Sequence, residues 1–171
     1  MTTIHGHRVL LRTYTAADQP RAREILSTSE VSRWWGDPDT ETKGLLDEGD
    51  DTASYVIEFE GELVGIIQSS EELTPQYRHA GIDIAVHPGW HGRGIGTDAI
   101  HTLARHLIDE RGHHRLTIDP AAANESAVRC YAKLGFRPVG LLRQYERGQD
   151  GTWHDGLLMD LLADELVRPS W

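Results

Sequence analysis

The sequence predicts an α/β fold in which helices cover a mixed or parallel sheet. An apolar strand at 81–86, a glycine-rich turn, a helix from residue 97 and a strand at 116–120 follow one another, which is the order of a crossover unit. The chain has 171 residues, of which 39% are hydrophobic and 26% charged. Since no repeat or linker divides it, we expect a single domain spanning residues 1–171.

Short apolar runs separated by turn residues predict the elements of the N-terminal half. The run at 9–12 indicates a strand, and a threonine or aspartate then caps a helix from about 15 to 28. Turn residues follow Trp34 and Trp35, which places both tryptophans in or near a loop. The other elements expected here are a weak helix at 43–48, a hairpin of strands at 55–59 and 63–68, and the strand at 81–86.

Helical periodicity is clearest in the C-terminal half. Apolar residues between 100 and 108 recur at i, i+3, i+4, i+7 and i+8, which predicts one buried stripe on a helix at 97–110. A second helix is expected at 124–134, with Asn124 as its N-cap and Gly135 as its C-terminal stop. The remaining strands are predicted at 116–120, 136–142 and 156–162.

Negative charge is concentrated in one stretch of the chain. The formal net charge is −10, and residues 37–72 contain twelve acidic residues against one lysine. A nucleic-acid-binding protein needs clustered lysine and arginine, so the sequence argues against that class. An acidic segment beside a pocket would attract a polycation, whereas the simpler alternative is a surface that only keeps the protein soluble.

Three features predict a cytoplasmic protein that is not associated with a membrane. No apolar run approaches the roughly 20 residues that cross a bilayer, and histidine and arginine interrupt the N-terminal stretch, unlike a signal peptide. The single cysteine, Cys130, suits a reducing compartment. No metal site is expected, because Pro88 and Gly89 prevent helical alignment of His87 with His91.

A glycine-rich turn precedes the helix predicted at residue 97. Gly92, Gly94 and Gly96 allow the backbone N–H groups to approach a ligand, and the helix N-terminus adds a positive dipole. This suits a pyrophosphate, to which Arg93 would add a charge and Thr97 a hydroxyl. The turn lacks the lysine of a P-loop and the spacing of a dinucleotide site, which leaves coenzyme A as the third ligand class. The alternative is a glycine-rich loop without a ligand.

Two segments resemble motifs of the GNAT superfamily of N-acetyltransferases. Residues 91–96 resemble the acetyl-coenzyme A loop Gln/Arg-x-x-Gly-x-Gly/Ala, with His91 in place of the glutamine or arginine. Residues 124–136 resemble Asn-x-x-Ala-x-x-x-Tyr-x-Lys-x-Gly-Phe. The resemblance covers residues 55–162 and implies a mixed, mostly antiparallel α/β (α+β) sheet of six or seven strands, flanked by about four helices. Acetyl-coenzyme A would lie between two splayed strands, bound by Ala85, Val86, His91, Gly92, Arg93, Gly94, Ile95, Gly96, Thr97, Asn124, Ala127 and Lys133.

Acetyl transfer to an amine needs a base for the ammonium and an acid for the leaving thiolate. Asp83 is the candidate base, because a charge within an otherwise apolar strand needs a reason; the alternative is an acid on the solvent face. Tyr131 is the candidate acid by resemblance, since related enzymes place a tyrosine near the coenzyme A sulfur; the alternative is a buried helix tyrosine.

Four short segments, at 34–36, 81–83, 117–120 and 129–131, are similar to aminoglycoside 6'-N-acetyltransferases. This resemblance implies a polycationic small-molecule acceptor, antibiotic resistance, and contacts from Asp83 and Asp119, with Trp34 and Trp35 as an aromatic wall. The C-terminal segments 141–146 and 151–162 also resemble the branch of ribosomal-protein N-terminal and polyamine acetyltransferases. Both acceptor classes stay open, and so does a protein that binds coenzyme A as a sensor without turnover. The protein is expected to be a monomer or a homodimer.

Overall fold

The computed structural model describes residues 1–47 and 49–171, which form one sheet with helices on both of its faces. Its strands are β1 (Thr3–His5), β2 (Val9–Thr13), β3 (Thr52–Phe59), β4 (Glu62–Glu72), β5 (His79–Val86), β6 (Arg115–Ile118), β7 (Arg137–Arg147) and β8 (Trp153–Leu162). Its α-helices are α1 (Gln19–Leu26), α2 (Ser29–Ser32), α3 (Pro38–Gly44), α4 (Ile95–Asp109) and α5 (Glu125–Lys133).

The eight strands follow the order β1-β2-β3-β4-β5-β6-β8-β7. Only β5 and β6 pair in parallel among the described strands, so the mixed, mostly antiparallel α/β fold is confirmed. The sheet has one strand more than the expected upper number. The addition is β1, which has only three residues and is too short for its alternation to predict a strand. Five helices replace the expected four because α2 is a single turn of four residues.

The two parallel strands separate soon after they meet. β5 and β6 pair only at Ala80 with Leu116 and at Gly81 with Thr117. Beyond Gly81, β5 continues beside β4 to Val86 without a partner on its other side. This separation opens a cleft in the middle of the sheet, at the ends of both parallel strands.

Two apolar layers hold the helices against the sheet. Ile100, Leu103 and Leu107 of α4 are almost fully buried, which confirms the stripe predicted for this helix. On the opposite face, Ala22 and Leu26 of α1 pack in a separate core cluster. Burying such side chains stabilises the fold by about 1.5–3 kcal/mol each. Both helices therefore fix the sheet on either side of the cleft.

The helix predicted at 43–48 is wrong. The helix is α3, which ends at Gly44, and residue 48 lies outside the described residues. Asp37 is its N-cap, accepting a hydrogen bond from the Thr40 N–H at 3.0 Å, and Pro38 occupies its first turn. The sequence indicates this N-terminus of α3, because an aspartate followed by proline is typical of the first residues of a helix.

No helix among the described residues is long and apolar enough to cross a membrane.

Candidate active site

The glycine-rich turn forms the N-terminus of α4. Gly92 and Gly94 have φ angles of 76° and 75°, the left-handed region that glycine adopts without strain. Within the described chain, the backbone N–H groups of residues 92–97 donate to no protein acceptor. Free donors at the positive end of a 15-residue helix suit a pyrophosphate. The turn therefore fits the phosphate groups of coenzyme A.

Close packing holds this turn against β5. A Cβ atom at Gly96 would lie 3.9 Å from a Val86 methyl group and 4.0 Å from one of Ile84, which is ordinary van der Waals contact with β5. The Nε2–H of His91 donates to the Val86 carbonyl at 2.7 Å. His91 thus anchors the loop to the strand that lines the cleft.

A groove of about 560 Å³ runs from the turn into the cleft between β5 and α5. Most residues predicted to bind coenzyme A lie on its walls: Ala85, Val86, His91, Gly92, Gly94, Ile95, Gly96, Thr97, Asn124 and Ala127. Arg93 and Lys133 do not. The Arg93 guanidinium lies 4.8 Å from the centre of the Trp90 ring, and Lys133 is exposed at the end of α5.

Two groove residues also have structural roles. Asn124 is the N-cap of α5, where its Oδ1 accepts a hydrogen bond from the Ala127 N–H at 3.3 Å. Thr97 Oγ1 lies 3.3 Å from Cys130 Sγ. Burial raises the pKa of the Cys130 thiol, which favours its neutral form and agrees with a packing role.

A smaller pocket of about 180 Å³ adjoins the groove. Five residues line both cavities: Trp34, Trp35, Ile84, Asn124 and Tyr131. Four carboxylates line the pocket, namely Asp83, Asp119, Glu41 and Glu146, and none of its lining residues is lysine, arginine or histidine. We call this cavity the acceptor pocket, since it joins the groove at its sheet end and favours positive charge.

Asp83 occupies the floor of the acceptor pocket. Its side chain is open to water in the pocket, but protein surrounds it on the other sides. This limited hydration raises the pKa of Asp83 to about 6, and the charges of Asp119, Glu146 and Glu41 add to the shift. Asp83 is therefore a stronger base than an ordinary aspartate, and it remains largely ionised at neutral pH.

Tyr131 lies where the groove meets the acceptor pocket. It is 8% exposed, and burial raises the pKa of its phenol above the usual value, with smaller contributions from Cys130 and Asp83. Its hydroxyl therefore keeps its proton at neutral pH. Tyr131 follows Asn124 by seven residues, about two helical turns, so both side chains lie on the same face of α5 and line the groove.

Asp119 follows β6 and faces Asp83 across the cleft between the parallel strands. The Tyr145 hydroxyl donates to Asp119 Oδ2 at 2.8 Å. This hydrogen bond raises the pKa of Tyr145 to about 12. Tyr145 reaches the carboxylate because the register of β7 against β8 is interrupted between Leu142 and Glu146.

The sequence did not single out Tyr145, Glu146 or Glu41 as site residues. Burial raises the pKa of both glutamates, and Asp119 adds to the shift of Glu146. The expected role of the acidic segment 37–72 needs correction, since Glu41 alone of its described residues lines the acceptor pocket. Other members pair elsewhere: Asp39 with Arg23, Glu58 with Arg12, and Glu71 with Arg111 and His113.

Among the described residues, no group of three or more His, Cys, Asp or Glu side chains is arranged to hold a metal ion.

A family model described as the acetyltransferase (GNAT) family matches residues 13–136. The chain therefore belongs to the GNAT family of acetyltransferases, enzymes that use acetyl-coenzyme A.

Named relatives differ in the amine that they acetylate. Aminoglycoside N(6')-acetyltransferase type 1 of Klebsiella pneumoniae is 28% identical over 161 residues, covering 82% of this chain and 79% of the relative. Spermidine N(1)-acetyltransferase of Escherichia coli K12 is 26% identical over 171 residues, covering 95% of this chain and 90% of the relative. The solved structure of Mycobacterium smegmatis RimJ in complex with CoA-disulfide is 26% identical in sequence, with a TM-score of 0.86. The match covers 98% of this chain and 90% of the RimJ chain.

Proposed function

We propose that this enzyme transfers the acetyl group of acetyl-coenzyme A to a primary amine of a polycationic small molecule, the 6'-amine of aminoglycoside antibiotics. One observation carries the choice of acceptor: four carboxylates and no basic side chain line the acceptor pocket. A cationic amine gains from this field, while a neutral or acidic acceptor does not. The similarity to the Klebsiella pneumoniae enzyme supports the same acceptor, and antibiotic resistance is then the physiological role in the cytoplasm.

The glycine-rich turn holds the pyrophosphate through its backbone N–H groups, and Asn124 and Ala127 line the path of the pantetheine arm. When bound, acetyl-coenzyme A supplies an activated acetyl thioester. Arg93 and Lys133 lie off the groove walls, so their contribution is to attract the phosphates from outside.

Direct transfer then needs two proton movements by side chains of this chain. The Asp83 carboxylate accepts a proton from the acceptor ammonium, which frees the nitrogen lone pair for attack on the thioester carbonyl. Tyr131 donates its phenolic proton to the sulfur as the carbon–sulfur bond breaks, and its phenolate regains a proton from the second one that the nitrogen loses when the amide forms. Asp119 holds a cationic group of the acceptor, while Trp34 and Trp35 pack against its rings or chain.

Spermidine or a related polyamine is the second candidate acceptor. The acceptor pocket of about 180 Å³ is smaller than the roughly 300–1,000 Å³ of drug-sized ligand sites, so a slender aminoalkyl chain fits it well. The spermidine acetyltransferase relative also aligns with a larger share of the chain, 95%.

A thiol-release assay with acetyl-coenzyme A tests the proposal. Kanamycin, spermidine and a peptide that starts with alanine are compared at equal concentration, and the acetylated position is read by mass spectrometry and NMR. We expect kanamycin to have the highest kcat/KM and to be modified at the 6'-amine. Faster acetylation of spermidine would select the second candidate, and faster acetylation of the peptide would contradict both.

A further inference from the structure

One glutamine side chain joins the two outer walls of the cleft that leads to the acceptor pocket. Gln149 lies in the turn between β7 and β8, and its Nε2 lies 2.9 Å from the Ser32 carbonyl oxygen, 3.1 Å from that of Trp35 and 3.0 Å from that of Gly36. A carboxamide nitrogen carries two hydrogens, so the three carbonyls share them. The contact spans more than one hundred positions in sequence.

The turn that carries Gln149 is held by its own hydrogen bonds. The Gly148 N–H donates to the Thr152 carbonyl at 2.9 Å. Asp150 accepts from the Thr152 N–H at 2.9 Å and from His154 Nε2 at 2.9 Å. The glutamine therefore extends from a preformed support, and losing its contact leaves that support in place.

The opposite wall has few hydrogen bonds of its own: the Trp34 N–H donates to the Val31 carbonyl at 2.9 Å, and the Gly36 N–H donates to the Glu41 carboxylate. The three carbonyls lie at the end of α2 and in the loop before α3, and they accept no other hydrogen bond from the described residues. The same loop carries Trp34 and Trp35, which line both the groove and the acceptor pocket. We call residues 32–36 the tryptophan loop. Its position sets the width of the entrance.

The contact lies where the body of an acceptor must pass. The acceptor pocket holds only the amine-bearing end of a drug-sized molecule. The remainder extends into an outer cleft of about 860 Å³, which is lined by Gln149, Glu146, Trp153 and both tryptophans of the loop. A slender chain needs only a narrow entrance, whereas a molecule of several rings needs a wide one.

We propose that Gln149 is a positioning residue that determines acceptor specificity by tying the tryptophan loop to the β7–β8 turn. This inference rests on the proposed acceptor site. With the contact formed, the tryptophans pack against a slender cationic chain. A bulky acceptor binds only when the contact opens, so it loses the free energy of those hydrogen bonds.

The variant Gln149→Met tests this, because methionine is similar in length and has no donor. Gln76→Met is the matched control, since Gln76 is exposed, lies far from residue 149 in the sequence, and has no side-chain hydrogen bond in the described structure. We expect faster hydrogen–deuterium exchange in a peptide covering residues 29–44 of Gln149→Met only. The ratio of the KM for spermidine to the KM for kanamycin should rise about tenfold, the effect of one or two hydrogen bonds. The kcat values should change less than about twofold, because neither Asp83 nor Tyr131 is touched.

A second variant separates the loss of the donor from a general disturbance. Gln149→Lys restores N–H donors that reach the three carbonyls, and it should return exchange in residues 29–44 to the parent rate. Unchanged exchange and an unchanged KM ratio in Gln149→Met would overturn the role of Gln149, even in an active enzyme. If the parent acetylates neither amine, the proposed function fails, and the exchange rates alone then decide whether Gln149 holds the loop.

Discussion

Asp83 is the proposed base, and its raised pKa should affect both the pH dependence of catalysis and the stability of the fold. Its pKa of about 6 predicts that kcat/KM falls as the pH drops through 6, because the protonated carboxyl cannot accept the proton of the ammonium. Asp83→Asn should lower kcat by roughly 10²–10⁴-fold. It should also remove the fall of kcat/KM at acidic pH. Steady-state kinetics from pH 5 to 8 measure both effects. Asp164→Asn, a change at an exposed aspartate whose side chain has no hydrogen bond or ion pair in the described structure, should keep the parent pH profile.

The same variant gives a readout that is independent of turnover. The folded pKa of Asp83 lies above the unfolded value of about 3.9, so ionisation favours the unfolded chain. The penalty is absent below pH 4 and complete above pH 6. Asp83→Asn should therefore have a higher Tm than the parent at pH 7.5 and the same Tm near pH 4. Equal Tm differences at both pH values would contradict the raised pKa.

We expect Tyr131 to contribute to catalysis through its hydroxyl group rather than through its ring. Tyr131→Phe keeps the ring that packs near Phe136, so the fold and the groove should persist. Loss of one general acid lowers kcat by roughly 10²–10⁴-fold, while the Kd for coenzyme A should stay close to that of the parent. Stopped-flow kinetics and calorimetry measure the two quantities. Tyr77→Phe, at a tyrosine that is 71% exposed, is the matched control; a parent-like rate in Tyr131→Phe would assign the proton to water or another group.

Sequence reasoning found the site residues that a local pattern identifies. Asp83 stands out because it interrupts an apolar strand, and Asp119 because it ends the next strand along the chain. The structure brings both to one pocket, while their roles stay predictions. Glu146 and Tyr145 gave no such signal, because an interruption in the register of β7 against β8 directs them into the site. That register depends on pairing between distant segments, which one sequence read locally does not reveal.

At the scale of a single element, the turn before α4 is the proposed binding site for the phosphates of coenzyme A. Gly94→Glu should abolish binding, because the added carboxylate would repel a pyrophosphate held by backbone N–H groups. Gly94→Ala is the matched control. Both variants have the strain of an L-residue at a φ of 75° and a Cβ about 3.1 Å from the Arg8 guanidinium, but only one adds charge. Calorimetry of folded variants should therefore show weakened binding for alanine and none for glutamate. Equal binding by the two would contradict the phosphate-loop assignment.

Helix α4 and helix α3 show why some elements could be predicted and others were not. The apolar stripe of α4 is long enough for its period to identify both the helix and its buried face. In α3 only Thr42 is buried, so periodicity says little there, and the helix is defined by its cap at Asp37. The weak helix predicted at 43–48 therefore lies too late in the chain. Capping residues carry the information for short, exposed helices.

The charge of the whole molecule is divided between two kinds of surface. Most described acidic side chains of residues 37–72 lie outside the acceptor pocket, several of them paired with arginine or histidine. The field in the pocket comes instead from four carboxylates that are brought together from α3, β5, the end of β6 and β7. The net charge of −10 therefore reflects solubility more than it reflects acceptor recognition.

This division makes the salt dependence of catalysis a test of the acceptor class. Each added ammonium group gains attraction from the carboxylates, and salt screens that attraction over about 8–10 Å at physiological ionic strength. The KM of a tri- or tetracationic aminoglycoside should rise steeply between 50 mM and 500 mM salt, while that of a monocationic peptide amine should stay nearly constant. Asp119→Asn should raise the KM of the polycation and flatten its salt dependence, with kcat little changed, because the proposed role of Asp119 is to bind the acceptor and not to transfer a proton. Kinetics with the two substrates side by side measure this, and a polycation KM that is insensitive to salt would reject electrostatic selection by the pocket.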